Sequence, residues 1–224
     1  MIKNLKENFI KLAYSLTTFK IFKSIKLSYI IGSKAAFFSL SQAVAPTTGL
    51  LFNRDQNIML FLSRVVLFLF NGFNPLFTLL YHIPTFFGAL YLNTHSKLAK
   101  SLLPILSIIL FLFHPFIASQ DIYTKLYCIY FAIPILIAIL NTKSIFLKCL
   151  GSTFTTHAVG SIIWLYTHNL DQNIYHNLIN IVWLERLLFA LIMTGTYYVY
   201  KYTETLLNTY LEVEKNLKTI TIES

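Results

Sequence analysis

Between Tyr29 and Tyr200 the chain is a succession of apolar runs of about twenty residues or more, punctuated by short segments that hold Lys97, Lys100, Lys143 and Lys148. Coiled into helices rising about 1.5 Å per residue, such runs match the roughly 30 Å hydrocarbon layer of a bilayer. A soluble domain of this size needs more charge than the sequence supplies. Only 12% of its 224 residues are charged, against roughly 25% in ordinary soluble domains. The sequence therefore predicts an all-α fold, an integral membrane bundle of about six transmembrane helices with a broken second segment. The net charge of +9 would suit nucleic acid in a soluble protein. Here lysines flank apolar runs, as the positive-inside rule requires, and no nucleic-acid partner is expected. Cys128 and Cys149 lie in or beside apolar runs, far apart in sequence, and are assigned to packing rather than to a disulfide or a metal.

Three parts are expected. Residues 1–28 form a basic amphipathic segment: Ile2, Leu5, Phe9, Leu12, Leu16 and Phe19 recur at steps of three and four among Lys3, Lys6, Lys11, Lys20, Lys23 and Lys26. It either lies on the anionic cytoplasmic leaflet or is a solvated tail. Residues 29–201 form the transmembrane domain, with crossings over Tyr29–Phe52, Ile58–Leu92, Ser101–Ser119, Ile122–Leu140, Ile145–Thr167 and Leu178–Tyr200. Residues 202–224 form an amphipathic cytoplasmic tail, with Leu206, Tyr210, Val213 and Leu217 set against Glu204, Glu212, Glu214 and Lys218.

In the first crossing Ala35, Ser39, Ala43 and Thr47 repeat at every fourth residue, a face that lets another helix approach closely. The second run would extend about 50 Å as a straight helix, too long for one bilayer. It is expected to break at Asn71–Pro75, where Asn74 caps a helix beginning at Pro75, and to make one discontinuous crossing, or a half-helix followed by a crossing, rather than two complete ones, because Ile58–Phe70 is too short to cross alone. With that count every lysine-rich loop falls on the cytoplasmic side with both termini, and the neutral or acidic loops near Asp121 and Asp171 fall outside. All six prolines lie in the first four runs, so the last two crossings are expected to be the straighter and stiffer pair.

The stretch Gly151–His168 carries Thr153, His157, Gly160, Ser161, Trp164 and His168 along one stripe, with Val159, Ile162, Ile163 and Leu165 opposite. Hydrocarbon offers such a polar stripe no partners, so it must face other helices or a cavity. Arg64, His114, Glu185 and Arg186 are the other costly groups within the runs. On the expected topology most of them gather in the outer half, and Arg64, His114, His157, Trp164, Glu185 and Arg186 form the candidate substrate-binding set. Each also has a plainer role: Glu185 paired with Arg64, Arg186 reaching headgroups, His157 hydrogen-bonded between helices, Trp164 anchoring at the interface.

Catalytic and metal sets are not found. His157 and His168 lie about 16 Å apart along a helix and cannot hold one ion. There is no HExxH, no pair of glutamates followed by arginine, no GxSG and no nucleotide-binding loop. Neither enzyme activity nor a cofactor is expected.

On these features the layout resembles the substrate-binding S components of energy-coupling factor vitamin transporters. The likeness covers roughly Tyr29 to Lys201: about six short helices, the Ala35/Ser39/Ala43 small-residue face, and the HAVGSIIWLY segment followed by an outer loop and a last polar-headed helix. The resemblance implies capture of a vitamin-like molecule from outside. It also implies docking of the small-residue face on a transmembrane coupling subunit served by two ATP-binding subunits. Two other readings stay open: a stand-alone secondary transporter with its site at Asn71–Pro75, and a lipid-acting membrane enzyme using His157 and Glu185.

Overall fold

The computed structural model describes residues 20–29, 37–70, 75–168 and 171–223. Among these residues the chain is all-α apart from one small hairpin, in which β1 (Lys26–Tyr29) pairs antiparallel with β2 (Phe37–Ser39). Three short turns follow: α1 (Leu40–Val44), a 3₁₀ turn (Ala45–Thr47) and α2 (Thr48–Leu51). The remaining helices are α3 (Arg54–Phe70), α4 (Pro75–Asn93), α5 (Lys97–Leu112), α6 (Pro115–Ala118), α7 (Ile122–Leu126), α8 (Ile129–Leu140), α9 (Ile145–Thr167) and α10 (Gln172–Glu223).

Local chemistry sets many of these boundaries. Asn53 and Gln56 cap α3 reciprocally: Gln56 N–H donates to Asn53 Oδ1 at 2.9 Å and Asn53 N–H to Gln56 Oε1 at 3.0 Å. Side-chain oxygens of Ser96, Asp121 and Ser144 accept from the backbone N–H three residues on, starting α5, α7 and α9. Pro75 and Pro115 occupy first helical positions, where the missing N–H costs nothing. Asn141, at φ 49°, stops α8 in the left-handed conformation that asparagine tolerates.

Two expectations about the N-terminal half are corrected. The run Tyr29–Phe52 is not one crossing helix; its described part is a strand end, a second strand and short helical turns. The aromatic pair Phe37 and Phe38 suits a strand, and Pro46 removes a helical donor in the middle of the remainder. Of its small-residue repeat, Ala35 lies outside the described residues, while Ser39, Ala43 and Thr47 are each 1% exposed. The chain's own helices cover them: the turns of this segment pack on α4 and α10. Lys26 to Ser28, expected in the amphipathic helix, belong to β1, and residues 1–19 lie outside the described residues.

The run Ile58–Leu92 is two helices folded back on each other. Asn57 Nδ2 donates to Asn93 Oδ1 at 2.9 Å, and the Phe61 and Phe86 rings stack at 4.4 Å. Arg64 shares a recess with His82. Successive residues of α3 thus meet successively earlier residues of α4, which makes the pair antiparallel. The cap at Asn53 starts α3 about one turn earlier than the apolar run alone suggests. Its 17 residues then extend about 25 Å. Asn71 to Asn74, including the expected cap, lie outside the described residues.

The helix containing Gly151–His168 is the hub. α9 packs against α4, α5, α8 and α10, and Cys149, Gly151 to Thr155, Ala158, Val159 and Leu165 along it are buried. Two glycines allow the α4 contact: a Cβ on Gly88 would overlap the Thr156 hydroxyl, and one on Gly151 would overlap the Tyr91 ring. Spared that clash, Tyr91 reaches across to donate to the Pro134 carbonyl at 2.9 Å. The proline-free α9 and α10 are the two longest helices among the described residues, at 23 and 52 residues.

The two ends of the bundle differ in charge. Lys97 Nζ donates to the Ile139 carbonyl at one end, where Lys100 also feels the charge of Lys148. At the other end Asp121 meets His176, and Tyr166 Oη donates to the Leu110 carbonyl at 3.1 Å. Two helical segments, Ile122–Leu140 and Gln172–Tyr210, are long and apolar enough to cross a membrane. Their most apolar windows are only 33% and 28% buried. Leu136, Ile139, Leu184, Leu188 and Leu191 lie exposed there, a pattern lipid accepts and water does not. No break separates the expected tail from the last crossing, because α10 continues as one helix past Tyr200, which packs near Leu51, Phe52 and Leu60, to Glu223.

Candidate functional site

The richest polar centre lies inside the bundle where α7–α8, α9 and α10 meet. Tyr127, in the turn between α7 and α8, is 1% exposed. Its hydroxyl lies 2.7 Å from His157 Nε2 and 3.1 Å from Ser161 Oγ, two residues one helical turn apart on α9. From α10, Arg186 Nη2 donates to Glu185 Oε2 at 3.4 Å, the two side chains being 2% and 15% exposed. The Arg186 guanidinium lies 4.4 Å from the centre of the Phe189 ring, a cation–π contact. Arg186 acts electrostatically on both His157 and Tyr127, and Glu185 on Tyr127. Thr153 Oγ1 of the same α9 stripe donates to the Arg186 carbonyl at 3.4 Å.

Aromatic rings enclose this centre. Phe111, Phe131, Tyr130, Tyr175 and His157 all stand within 6 Å of the Tyr127 ring, mostly edge to face. Tyr130 also donates to the Ile179 carbonyl, tying α8 to α10. Tyr175 is 2% exposed and its hydroxyl has no hydrogen-bond partner, a costly state for a buried polar atom.

Three of the six residues singled out from the sequence, His157, Glu185 and Arg186, come together here. Glu185 pairs with its chain neighbour Arg186 rather than with Arg64. Glu185 lies about 20 Å along α10 from its Gln172 end.

The other three lie elsewhere. Arg64 lines a separate recess between α3 and α4, with Thr48, Asn57, His82, Thr85 and the stacked Phe61 and Phe86 around it. Its free volume of about 10 Å³ holds about one water molecule. His114 stands edge-on to Tyr166, centroids 4.6 Å apart, at the acidic end. Trp164 and His168 pack on each other one turn apart at the same end, 3.5 Å between ring centres. The single hollow shared by all six is not present.

Tyr127, Tyr175 and His82 were missed by sequence reasoning. Tyr127 is one of 14 tyrosines, and its partners are 30 and 34 positions away, so no local spacing marks it. Ser161 was visible on the α9 stripe. Among the described residues no group of three or more His, Cys, Asp or Glu side chains is placed to hold a metal ion.

A half-exposed ion pair ties α7 to α10 at the acidic end of the bundle. Asp121 caps α7 and its Oδ2 meets His176 Nε2 at 3.1 Å, binding α7 to the first turns of α10 beside the inward-facing Tyr175. The Thr124 N–H, seconded by His176, pulls the Asp121 carboxyl down to about 2. A lowered folded-state value makes the contribution complete above the ordinary aspartate range near about 3.9 and lost as pH falls through the folded value. Hydrogen exchange of the Thr124 amide, corrected for its intrinsic pH dependence, should stay protected from neutral pH to about 4 and open on further acidification. In Asp121→Asn this acid transition should disappear.

Comparisons with known protein families, curated proteins and solved structures find no match to this chain.

Proposed function

We propose that this chain is a multi-pass membrane protein that captures a small molecule for uptake and hydrolyses nothing itself. In this reading α3, α4, α5, α7–α8, α9 and α10 cross the bilayer in alternating directions, giving six passes with both termini on the cytoplasmic side. The lysine-rich end faces inward and the Asp121 and Asp171 end outward, as the positive-inside rule asks.

The observation that carries the reading is the buried centre. Apolar helices retain an ion pair, an imidazole and a chain of hydroxyls at mid-depth only where partners or a ligand offset their desolvation. The energy for release into the cell comes from partners, a transmembrane coupling subunit with ATP-binding subunits, as the resemblance to S components implies. The small-residue face of the N-terminal segment is already covered by α4 and α10, so such a subunit docks on another surface.

The test is to extract the full chain from membranes in mild detergent, denature it, and analyse the released small molecules by mass spectrometry. One compound in near-equimolar amount, lost in His157→Ala that remains folded, supports capture. A chain that carries nothing, and does not raise accumulation of any solute when produced with coupling subunits, has some other role. Turnover of a lipid that stops in His157→Ala would instead mark an enzyme.

A further inference from the structure

The basic end of the bundle gathers lysines for which capture of a small molecule has no use. Lys97 and Lys100 stand in the first turn of α5 and Lys148 in the first turn of α9, while Lys143 lies in the loop that joins α8 to α9. The fold draws them together. α5 packs on α8 and α9, Lys97 Nζ reaches the Ile139 carbonyl at 3.1 Å near the end of α8, and Lys100 feels the charge of Lys148. Among the described residues none of the four is ion-paired to a carboxylate.

Such a placing is costly by itself. Like charges repel, and the first turn of a helix, with its unsatisfied N–H groups and positive dipole end, favours an anion over a cation. Neither α5 nor α9 carries an acidic residue in that turn. Lys100 is also held in place: it is half-buried, its Nζ lies 5.1 Å from the centre of the Tyr91 ring, and that ring is fixed by its bond to the Pro134 carbonyl. An anion set among these lysines relieves both the repulsion and the dipole. The surface beside them is apolar. Leu98, Leu102, Ile105 and Ile109 are exposed at steps of four, three and four, so one stripe runs along α5 away from Lys97.

We propose that this end binds the phosphate headgroup of an anionic phospholipid among Lys97, Lys100, Lys143 and Lys148, with an acyl chain lying along the stripe from Leu98 to Ile109. The inference rests on the membrane reading above, in which this end meets the anionic cytoplasmic leaflet. Phosphate oxygens accept from the ammonium donors, and the attached chain covers the stripe, which a free phosphate would leave bare.

The experiment uses the full chain in neutral detergent micelles, with added phosphatidylglycerol, phosphatidylcholine, inorganic phosphate or polyglutamate. Bound lipid is counted by native mass spectrometry and unfolding is followed on heating. Phosphatidylglycerol should be retained about tenfold better than phosphatidylcholine and should raise the unfolding temperature. The double variant Lys100→Gln with Lys148→Gln should lose that preference. In phosphatidylcholine it should unfold no earlier than wild type, because a repulsion has been removed, whereas a purely structural role would make it unfold earlier. Lys20→Gln with Lys125→Gln removes the same charge elsewhere and should keep the preference. Equal retention of the two lipids, equal loss in both double variants, or stabilisation matched by inorganic phosphate or polyglutamate overturns the inference while leaving the membrane reading intact. A chain that stays in solution without detergent overturns the membrane reading as well.

Discussion

Glu185→Ala should cost about 3 kcal/mol of folding stability, among the largest losses expected of a single substitution in this bundle. The carboxylate is the paired anion of Arg186, whose side chain is 2% exposed. Removing it takes the paired carboxylate from a buried guanidinium that packs over the Phe189 ring. Glu185→Gln keeps an acceptor and should lose about half as much. Adding Arg186→Met to Glu185→Gln should recover most of the loss, because an ion pair replaced as a unit by apolar and neutral groups is often tolerated. Unfolding in mixed detergent and dodecyl sulfate micelles reads all three. If Glu185→Ala shifts the transition by less than about 0.5 kcal/mol, water reaches the pair and the centre is open rather than closed.

Gly49→Ala is the second large effect expected, for a steric reason. Gly49 lies where α2 crosses α4, and an added Cβ would overlap the Ala89 carbonyl and come within 2.8 Å of Leu92 Cβ. Backbone cannot swing aside as a side chain can, so α2 and α4 must separate. That separation also stretches the bond from Asn93 Nδ2 to the Gly49 carbonyl, now 2.8 Å. A loss of about 3 kcal/mol is expected. Gly195→Ala provides the control: nothing stands within 4 Å of its added Cβ. It should gain up to about 1 kcal/mol from helix propensity. Similar losses at both positions would mean that the α2–α4 contact is looser than described.

Helix content and the central place of α9 were legible in the sequence because both follow from periodicity: apolar runs of bilayer length, and one run whose small and polar residues share a stripe. The α3–α4 turnback was not read, although Asn53 and Gln56 announce it. An asparagine followed three residues later by glutamine starts a helix, and the added turn brings the first half of the run to crossing length. Lysine counting had no power to expose the turnback, because counting Arg54–Phe70 in place of Tyr29–Phe52 assigns every later loop to the same side. The polar centre was half legible. His157, Glu185 and Arg186 stand out by their cost in an apolar segment, but Tyr127 joins them through contacts 30 or more positions away, which only the packed bundle reveals.

The unbroken course of α10 has a mechanical result. Tyr175, Glu185, Arg186 and the outermost residue, Glu223, all ride on one rod. From Tyr200, the last residue gripped by the N-terminal turns, to Glu223 the rod projects about 35 Å. A tilt of about 10° at the buried ion pair, about 55 Å from that tip, would swing it by about 10 Å. By geometry the helix is a lever: an angular change around Arg186 is multiplied along its length toward Glu223.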